Sequence, residues 1–287
     1  MPQVWLITGS SSGIGRKMTE LALEQGDHVV ATLRTPSALA DVQAKHPASQ
    51  LHVVALDITD SAQIAAAFAA AKRVFGRLDV VFNNAGWCII GEVESVAEND
   101  ARRLFDVNFW GTVNVSKEAV RFFREENAPG SGGRLLIVTS SGAMLPCPAI
   151  GYYCATKSGV EAVMQVVAAE IEPEWNIKMT LIEPGFTRTD IADKSFITVT
   201  HPAYVKPTNA ASEARKYIVG QFNPATAQNV SNLDRMVARM FDVSRLEKPP
   251  LWLPLGEDAL ERVRTQMEMV GNDLRAYKSW SEGLLET

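Results

Sequence analysis

Apolar residues fall into short runs separated by longer stretches with helical spacing. Val4 to Ile7 is an unbroken apolar run, which predicts a strand. Met18, Leu21 and Ala22 then share one face of a helix that ends at Gly26-Asp27. Strand-like runs recur at His28 to Thr32, Leu51 to Leu56, Leu78 to Phe82, Gly133 to Val138 and Lys178 to Ile182. Helical stretches lie between them: Pro36 to about Lys45, Ile64 to Phe75, Asn99 to about Glu126, and Tyr152 to Ile171. Strands alternating with helices predict βαβ units, hence a parallel sheet covered by helices on both faces. The crossovers between parallel strands are expected to be right-handed. No internal repeat or composition break marks a second unit, so 1–287 reads as a single domain.

From Ile191 to about Pro250 the regular pattern lapses. Pro202, Pro207, Pro224, Pro249 and Pro250 interrupt scattered apolar residues, among them Phe196, Tyr204, Phe222, Met236, Met240 and Phe241. An insert of this length in an α/β fold predicts a substrate-binding lid over 191–250. Leu251 to Leu255 reads as a last strand, at the sheet edge because of Pro254. Beyond it, Leu260, Val263, Met267, Val270, Leu274 and Tyr277 recur at alternating spacings of three and four. They predict an amphipathic helix over 257–285. Its stripe must be covered by its own body or by a partner subunit, and its own core is the ordinary solution.

Composition narrows the function classes. With 46% apolar and 21% charged residues among 287, the chain is an ordinary globular protein. A net charge of −5 without any basic run argues against a nucleic-acid partner. No apolar stretch is long enough to span a bilayer, and no secretory signal opens the chain. Cys88, Cys147 and Cys154 are odd in number and fit no metal spacing. They predict structural thiols in a reducing, cytoplasmic compartment. The four histidines, His28, His46, His52 and His201, are scattered, so no metal site is expected.

Two constellations carry chemistry. Thr8-Gly9-Ser10-Ser11-Ser12-Gly13-Ile14-Gly15 joins the first strand to the first helix. Such a turn aims backbone N–H groups and a helix dipole at a pyrophosphate, and its glycines allow close approach. In dinucleotide sites a carboxylate at the end of the second strand binds a ribose 2′-hydroxyl, whereas arginine suits a 2′-phosphate. Arg34 occupies that junction, with Ser10 and Thr35 as added hydroxyl donors. The predicted cofactor is NADP(H).

The second constellation is Tyr153, Lys157 four residues on, and Ser140 thirteen residues upstream of Tyr153. Alone, a Tyr–Lys pair at this spacing is ordinary helix-surface decoration. A phenol has a pKa of about 10, and an ammonium one turn away favours the phenolate. A serine hydroxyl then serves to hold a carbonyl oxygen against the phenol. Ser141 and Tyr152 are neighbouring candidates, but Tyr152 has Thr156 rather than lysine at the fourth position on.

The ordered set Thr8–Gly15, Asn83-Asn84-Ala85-Gly86, Asn108, Ser140, Tyr153-x-x-x-Lys157 and Pro184-Gly185 resembles the short-chain dehydrogenase/reductase family. The resemblance covers about residues 4 to 190 and the final strand. It extends more loosely to ketoreductase-like and hydroxysteroid or retinol dehydrogenase-like members. It implies an α/β doubly wound Rossmann fold: a parallel seven-stranded sheet flanked by helices, with a lid insert and an extra C-terminal helix. It implies cofactor contacts from Thr8, Gly9, Ser10, Ser12, Gly13, Ile14 and Gly15. Asp57 would bond the adenine amino group, with Ile58 packing nearby. Asn83 would support the sheet and the cofactor ribose, within a turn completed by Asn84, Ala85 and Gly86. Pro184, Gly185 and Thr187 would lie near the nicotinamide, and Thr189 would bind its carboxamide.

The same resemblance implies catalytic roles for Asn108, Ser140, Tyr153 and Lys157. Tyr153 would exchange the proton. Lys157 would lower its pKa and bond the nicotinamide ribose. Asn108 would distort the long helix and hold a water linking Lys157 to solvent. The implied reaction is hydride transfer between nicotinamide and a carbonyl or alcohol. Trp87, Met144, Leu145 and Phe186, with Ile89 and Ile90, predict a hydrophobic substrate pocket beside Ser140. The implied assembly is a homodimer or homotetramer. The competing readings are a redox-inactive NADP sensor or scaffold on the same fold, and epimerisation or dehydration through transient oxidation.

Overall fold

The computed structural model describes residues 2–189, 195–223 and 225–285. Strand β1 (Val4–Thr8) is buried at every position. Val4 and Leu6 face one core, and Trp5 and Ile7 face another. A strand covered on both faces needs a continuous apolar run, which is why its pattern does not alternate. The remaining strands are β2 (His28–Leu33), β3 (Leu51–Ala55), β4 (Val80–Asn83), β5 (Ile89–Ile90), β6 (Gly133–Val138), β7 (Ile177–Pro184), β8 (Phe196–Ile197) and β9 (Trp252–Leu255). Seven of them form one sheet in the order β3-β2-β1-β4-β6-β7-β9, each pair parallel. The predicted seven-stranded doubly wound sheet is thus observed, with β9 and its Pro254 at the edge. Strands β5 and β8 make a separate parallel pair that the sequence pattern did not predict.

The helices are α1 (Gly13–Glu24), α2 (Ala40–Gln43), α3 (Ser61–Phe75), α4 (Glu98–Phe105), α5 (Thr112–Glu125), α6 (Ser141–Met144), α7 (Gly151–Glu170), α8 (Ala210–Phe222), α9 (Leu233–Val243) and α10 (Glu257–Ala276). Helices α3, α5 and α7 bury Phe68, Phe122 and Met164 on one face of the sheet. On the other, α1 and α9 bury Met18, Met236 and Phe241. Local signals fix the ends. Asp60 accepts the Ala62 and Gln63 backbone N–H groups at 2.9 and 3.1 Å, and Gly76 closes α3 at φ +75°. Between β1 and β4 the strand order reverses, which opens a crevice at their carboxyl ends.

Three expectations change. The helix predicted from Asn99 to Glu126 is interrupted by a π-helical stretch, Asp106–Gly111, with Asn108 inside it. The lid predicted over 191–250 is not uniform. Met236, Met240 and Phe241 belong to α9 and are core residues, with Phe241 stacked on Trp5 at 5.3 Å between ring centroids. Residues 191–194 and Pro224 of that expected lid lie outside the described residues. Finally, the α10 stripe does not cover its own core. Only Ala259 of that helix is buried, whereas Met267 is 67% and Leu274 68% exposed. Helix α10 packs on α6 and β9 and then runs past the body.

Candidate active site

One cavity of about 970 Å³ follows the carboxyl ends of the strands. At one end, β1 delivers the glycine turn. Gly9 sits at φ +70°, where a side chain is strained, and a Cβ on Gly15 would stand 2.4 Å from the Gly9 carbonyl oxygen. The turn therefore brings backbone against helix α1 as only glycine permits. Gly9, Ser11, Ser12, Gly13 and Ile14 line the cavity. Arg34 lines it as well, exposed at the end of β2 beside Thr32 and Leu33. Asp57, Ile58, Asn84, Ala85 and Gly86 continue the wall. The Asp57 carboxylate accepts from the Thr59 backbone N–H and hydroxyl at 3.0 and 2.8 Å. A helix amino terminus, an open glycine cradle and a guanidinium together suit a dinucleotide phosphate.

Several predicted cofactor residues support this wall from behind. Thr8 is buried, and its hydroxyl accepts the Asn84 and Ala85 N–H groups at 2.9 and 3.0 Å. Asn83 is also buried and donates to the Thr112 carbonyl at 2.8 Å and the Ser116 hydroxyl at 3.0 Å. Its amide ties β4 to α5 and does not line the cavity. Ser10 is turned inward as well, its hydroxyl donating to the Ile7 carbonyl at 3.0 Å. Its expected contact with a 2′-phosphate does not fit that orientation. Thr35 is exposed at the start of the next turn, without a side-chain capping hydrogen bond, and lies outside the cavity wall. Ser11 lines the cavity instead.

At the other end, Ser140, Tyr153 and Lys157 line the same cavity. Ser140 caps α6, accepting the Gly142 N–H at 3.1 Å, and contacts Tyr153 through its hydroxyl. Ser141, the neighbouring candidate, is buried at the start of that helix. Lys157 is buried on α7 and donates to the Val138 carbonyl at 2.9 Å. Its Nζ lies 5.8 Å from the Tyr153 ring centroid. Asn108 does not line the cavity. Its amide accepts the Trp87 N–H at 3.0 Å and donates to the Trp87 carbonyl at 2.8 Å. A Cβ on Gly86 would meet Asn108 Oδ1 at 3.1 Å and Lys157 Nζ at 3.6 Å, so this glycine lets the chain pass between them.

Electrostatics revises one expectation. Burial pushes the Tyr153 phenol above its ordinary pKa and the Cys88 beside it adds to the effect, while the Ser140 hydroxyl opposes it. In this geometry burial outweighs the predicted lowering by Lys157, whose ammonium donates to the Val138 carbonyl. Lys157 itself is pushed down to about 8 by burial. Behind it, Glu161 and Glu183 are buried, and each has an Oε1 without a hydrogen-bond partner among the described residues. Burial pushes Glu161 up to about 7 and Glu183 up to about 8. Burial also raises all three thiols, consistent with inert structural cysteines.

A model of the family described as short chain dehydrogenase matches residues 3–199. The chain belongs to the short-chain dehydrogenases. This dehydrogenase is 34% identical over 271 residues to an uncharacterised oxidoreductase of Schizosaccharomyces pombe, covering 94% of this chain and 88% of the relative. It is 32% identical over 290 residues to the oxidoreductase calM of Penicillium decumbens, covering 96% and 91%. A short-chain dehydrogenase from Streptomyces avermitilis has a similar structure, with TM-score 0.85, 29% identity and 98% of each chain covered.

The substrate end of the dehydrogenase's cavity departs from expectation. Of the residues expected in the substrate pocket, Trp87 and Phe186 line the cavity, but Met144, Leu145, Ile89 and Ile90 do not; Pro184, Gly185, Thr187 and Thr189, expected at the nicotinamide, line it too. Ile89 and Ile90 are buried in satellite cores. Met144 and Leu145 lie at the far end of α6, and the loop after it supplies Cys147 and Ile150 instead. Ala149 reaches φ +66° in that loop, a strained conformation for alanine. Ile218 of α8 and Arg262 of α10 complete the wall. Sequence reasoning missed both because they arrive from distant segments. Arg262 had one signal: it falls three residues after Ala259, on the body-facing side of its helix.

Proposed function

We propose that this short-chain dehydrogenase is an NADP(H)-dependent carbonyl reductase acting on a hydrophobic ketone or aldehyde, with oxidation of the matching secondary alcohol as the reverse reaction. The observation that carries this reading is one continuous cavity holding Tyr153, Ser140 and Lys157 at one end and Arg34 with the glycine turn at the other. The turn from Gly9 to Gly13 and the amino terminus of α1 would hold the pyrophosphate, and Arg34 the 2′-phosphate. Asp57 would take the adenine, and Pro184, Gly185, Thr187 and Thr189 the nicotinamide end. When bound, the reduced nicotinamide supplies the hydride to the carbonyl carbon.

The protein's own part is orientation and proton handling. Ser140 holds the carbonyl oxygen by its hydroxyl. Tyr153 donates its phenolic proton to that oxygen as charge develops there. A phenol held neutral by burial starts in the protonation state that reduction needs. Lys157 would bind the nicotinamide ribose and lend positive charge to the site. Asn108 fixes Trp87 through two hydrogen bonds, and would hold a water that links Lys157 to solvent. Phe186, Ile150 and Ile218 favour an apolar substrate body.

A homodimer or homotetramer in the cytoplasm belongs to the same reading. In the family resemblance the helical stretches 99–126 and 152–171 would form the subunit contact; Trp110 and Val166 within them are exposed, and none of the three cysteines is in a disulfide. No helix among the described residues is long and apolar enough to cross a membrane. The test is loss of NADPH absorbance against a panel of aryl, alicyclic and long-chain carbonyls. Turnover with NADPH preferred over NADH is expected. Tight NADPH binding without turnover on any member would favour the sensor alternative.

A further inference from the structure

Arg262 stands in the second turn of α10, three residues after Ala259, the one residue of that helix buried against the body. Its side chain is therefore carried toward the cavity rather than outward. There it lines the wall with Cys147, Ile150, Tyr153, Phe186 and Ile218. Its guanidinium donates to the Leu145 carbonyl and lies against the Cys147 thiol. Neither partner is an anion, since burial raises that thiol and keeps it protonated. Among the described residues no carboxylate forms an ion pair with Arg262.

Two other arginines near the cavity make the contrast. Arg215 of α8 is gripped by Glu92 at 3.1 and 2.9 Å, a matched and mostly buried pair. Arg103 pairs with Asp100 at 3.8 Å and stands over the Trp87 ring. The fold thus supplies a counter-charge for each of them and none for Arg262. A half-buried guanidinium with unused N–H donors on an otherwise apolar wall gains from an anion that it can bind by a planar fork. Carboxylate has that geometry. The cavity then presents the acid–base group Tyr153 and the cationic side chain Arg262 in one wall, with Ile150, Phe186 and Ile218.

Resting on the carbonyl-reductase reading, we propose that Arg262 binds a carboxylate on the substrate, which is therefore an oxo acid with an apolar body. Arg262 is a specificity residue on this account: it positions the carbonyl at Ser140 and Tyr153 by holding the substrate's carboxylate.

The test uses straight-chain methyl-ketone acids of increasing length, each paired with its methyl ester, as substrates for the full chain with NADPH. At one chain length the acid should exceed its ester in kcat/KM by about tenfold or more, the scale of one charge-assisted hydrogen-bonded contact. Arg262→Gln should bring that ratio toward one, chiefly through KM for the acid. Arg262→Lys should retain part of the preference, and Arg262→Glu should reverse it. A wild-type ratio near one at every length overturns the proposal, and so does a folded Arg262→Gln protein that keeps the preference. If Arg262→Gln does not fold, the wild-type ratio and the Arg262→Lys variant decide alone. Absence of turnover on acids and esters alike, with turnover on other members of the carbonyl panel, overturns this inference alone, as does ester turnover without acid preference; absence of turnover on the whole panel overturns the reductase reading and this inference with it.

Discussion

Single residues decide which cofactor and which proton the site handles. Arg34 is exposed and in the cavity wall, and no acidic side chain occupies the end of β2 beside it. Arg34→Asp should weaken NADPH binding by roughly tenfold or more, the scale of one charge-assisted contact, with a relative gain for NADH. Competition between the two cofactors measures this, and an unchanged preference would put the 2′-phosphate elsewhere. The spacing of Ser140, Tyr153 and Lys157 was legible in the sequence because one turn of helix fixes the last two. The direction of a serine in a glycine turn was not. Ser10 and Ser11 are chemically equivalent, yet Ser10 turns inward to the Ile7 carbonyl and Ser11 lines the cavity. The dominance of burial at Tyr153 was also not legible, because spacing along α7 does not show what packs over it.

At the scale of elements, alternating strands and helices fix the sheet, while the parts around the substrate end are less regular. Helix α9 was legible in principle: Met236, Val237, Met240 and Phe241 recur at helical spacing. Its neighbouring prolines obscured it. The π-helical stretch at Asn108 was anticipated only through family resemblance, since periodicity does not register one inserted residue. Helix α8 caps the cavity, and its anchor is electrostatic. Arg215 joins Glu92 and also donates to the Thr198 carbonyl at 2.7 Å, so one side chain ties α8 to the loop after β5 and to the end of β8. Glu92 is 2% exposed, and removal of its partner leaves a buried carboxylate unpaired. Arg215→Ala should cost about 3–5 kcal/mol of local or global stability. Limited proteolysis should then cut within 195–223 faster than in the wild type. Equal cleavage rates would mean that α8 is held by its apolar contacts instead.

The whole molecule brings distant segments to one crevice, and this is why its site was only half visible in the sequence. Residues 9–15, 83–86 and 140–157 could be read as motifs, whereas Ile218 and Arg262 are placed by the path of the chain after β7. The same folding buries Lys157 in the cavity wall and Glu161 and Glu183 behind it. Both glutamates have folded pKa values above the ordinary 4.5. Below that value they are neutral in both states and contribute nothing. As pH rises toward 8, the unfolded chain releases those protons and the folded chain retains them, so stability falls. Lys157 acts oppositely above about pH 8, where the folded amine loses its proton before the unfolded one and stability rises. Melting temperature should therefore decline from pH 5 to pH 8, and Glu183→Gln should flatten that decline. Parallel pH profiles for the two proteins would remove Glu183 from the account. The central claim is that this assembled cavity reduces a carbonyl with a proton from Tyr153. Its most direct test compares NADPH consumption by wild type and Tyr153→Phe on the best carbonyl of the panel, with NADPH affinity measured alongside. The account predicts a loss of about 10²–10⁴ in turnover with nearly unchanged NADPH affinity; full turnover by Tyr153→Phe would contradict it.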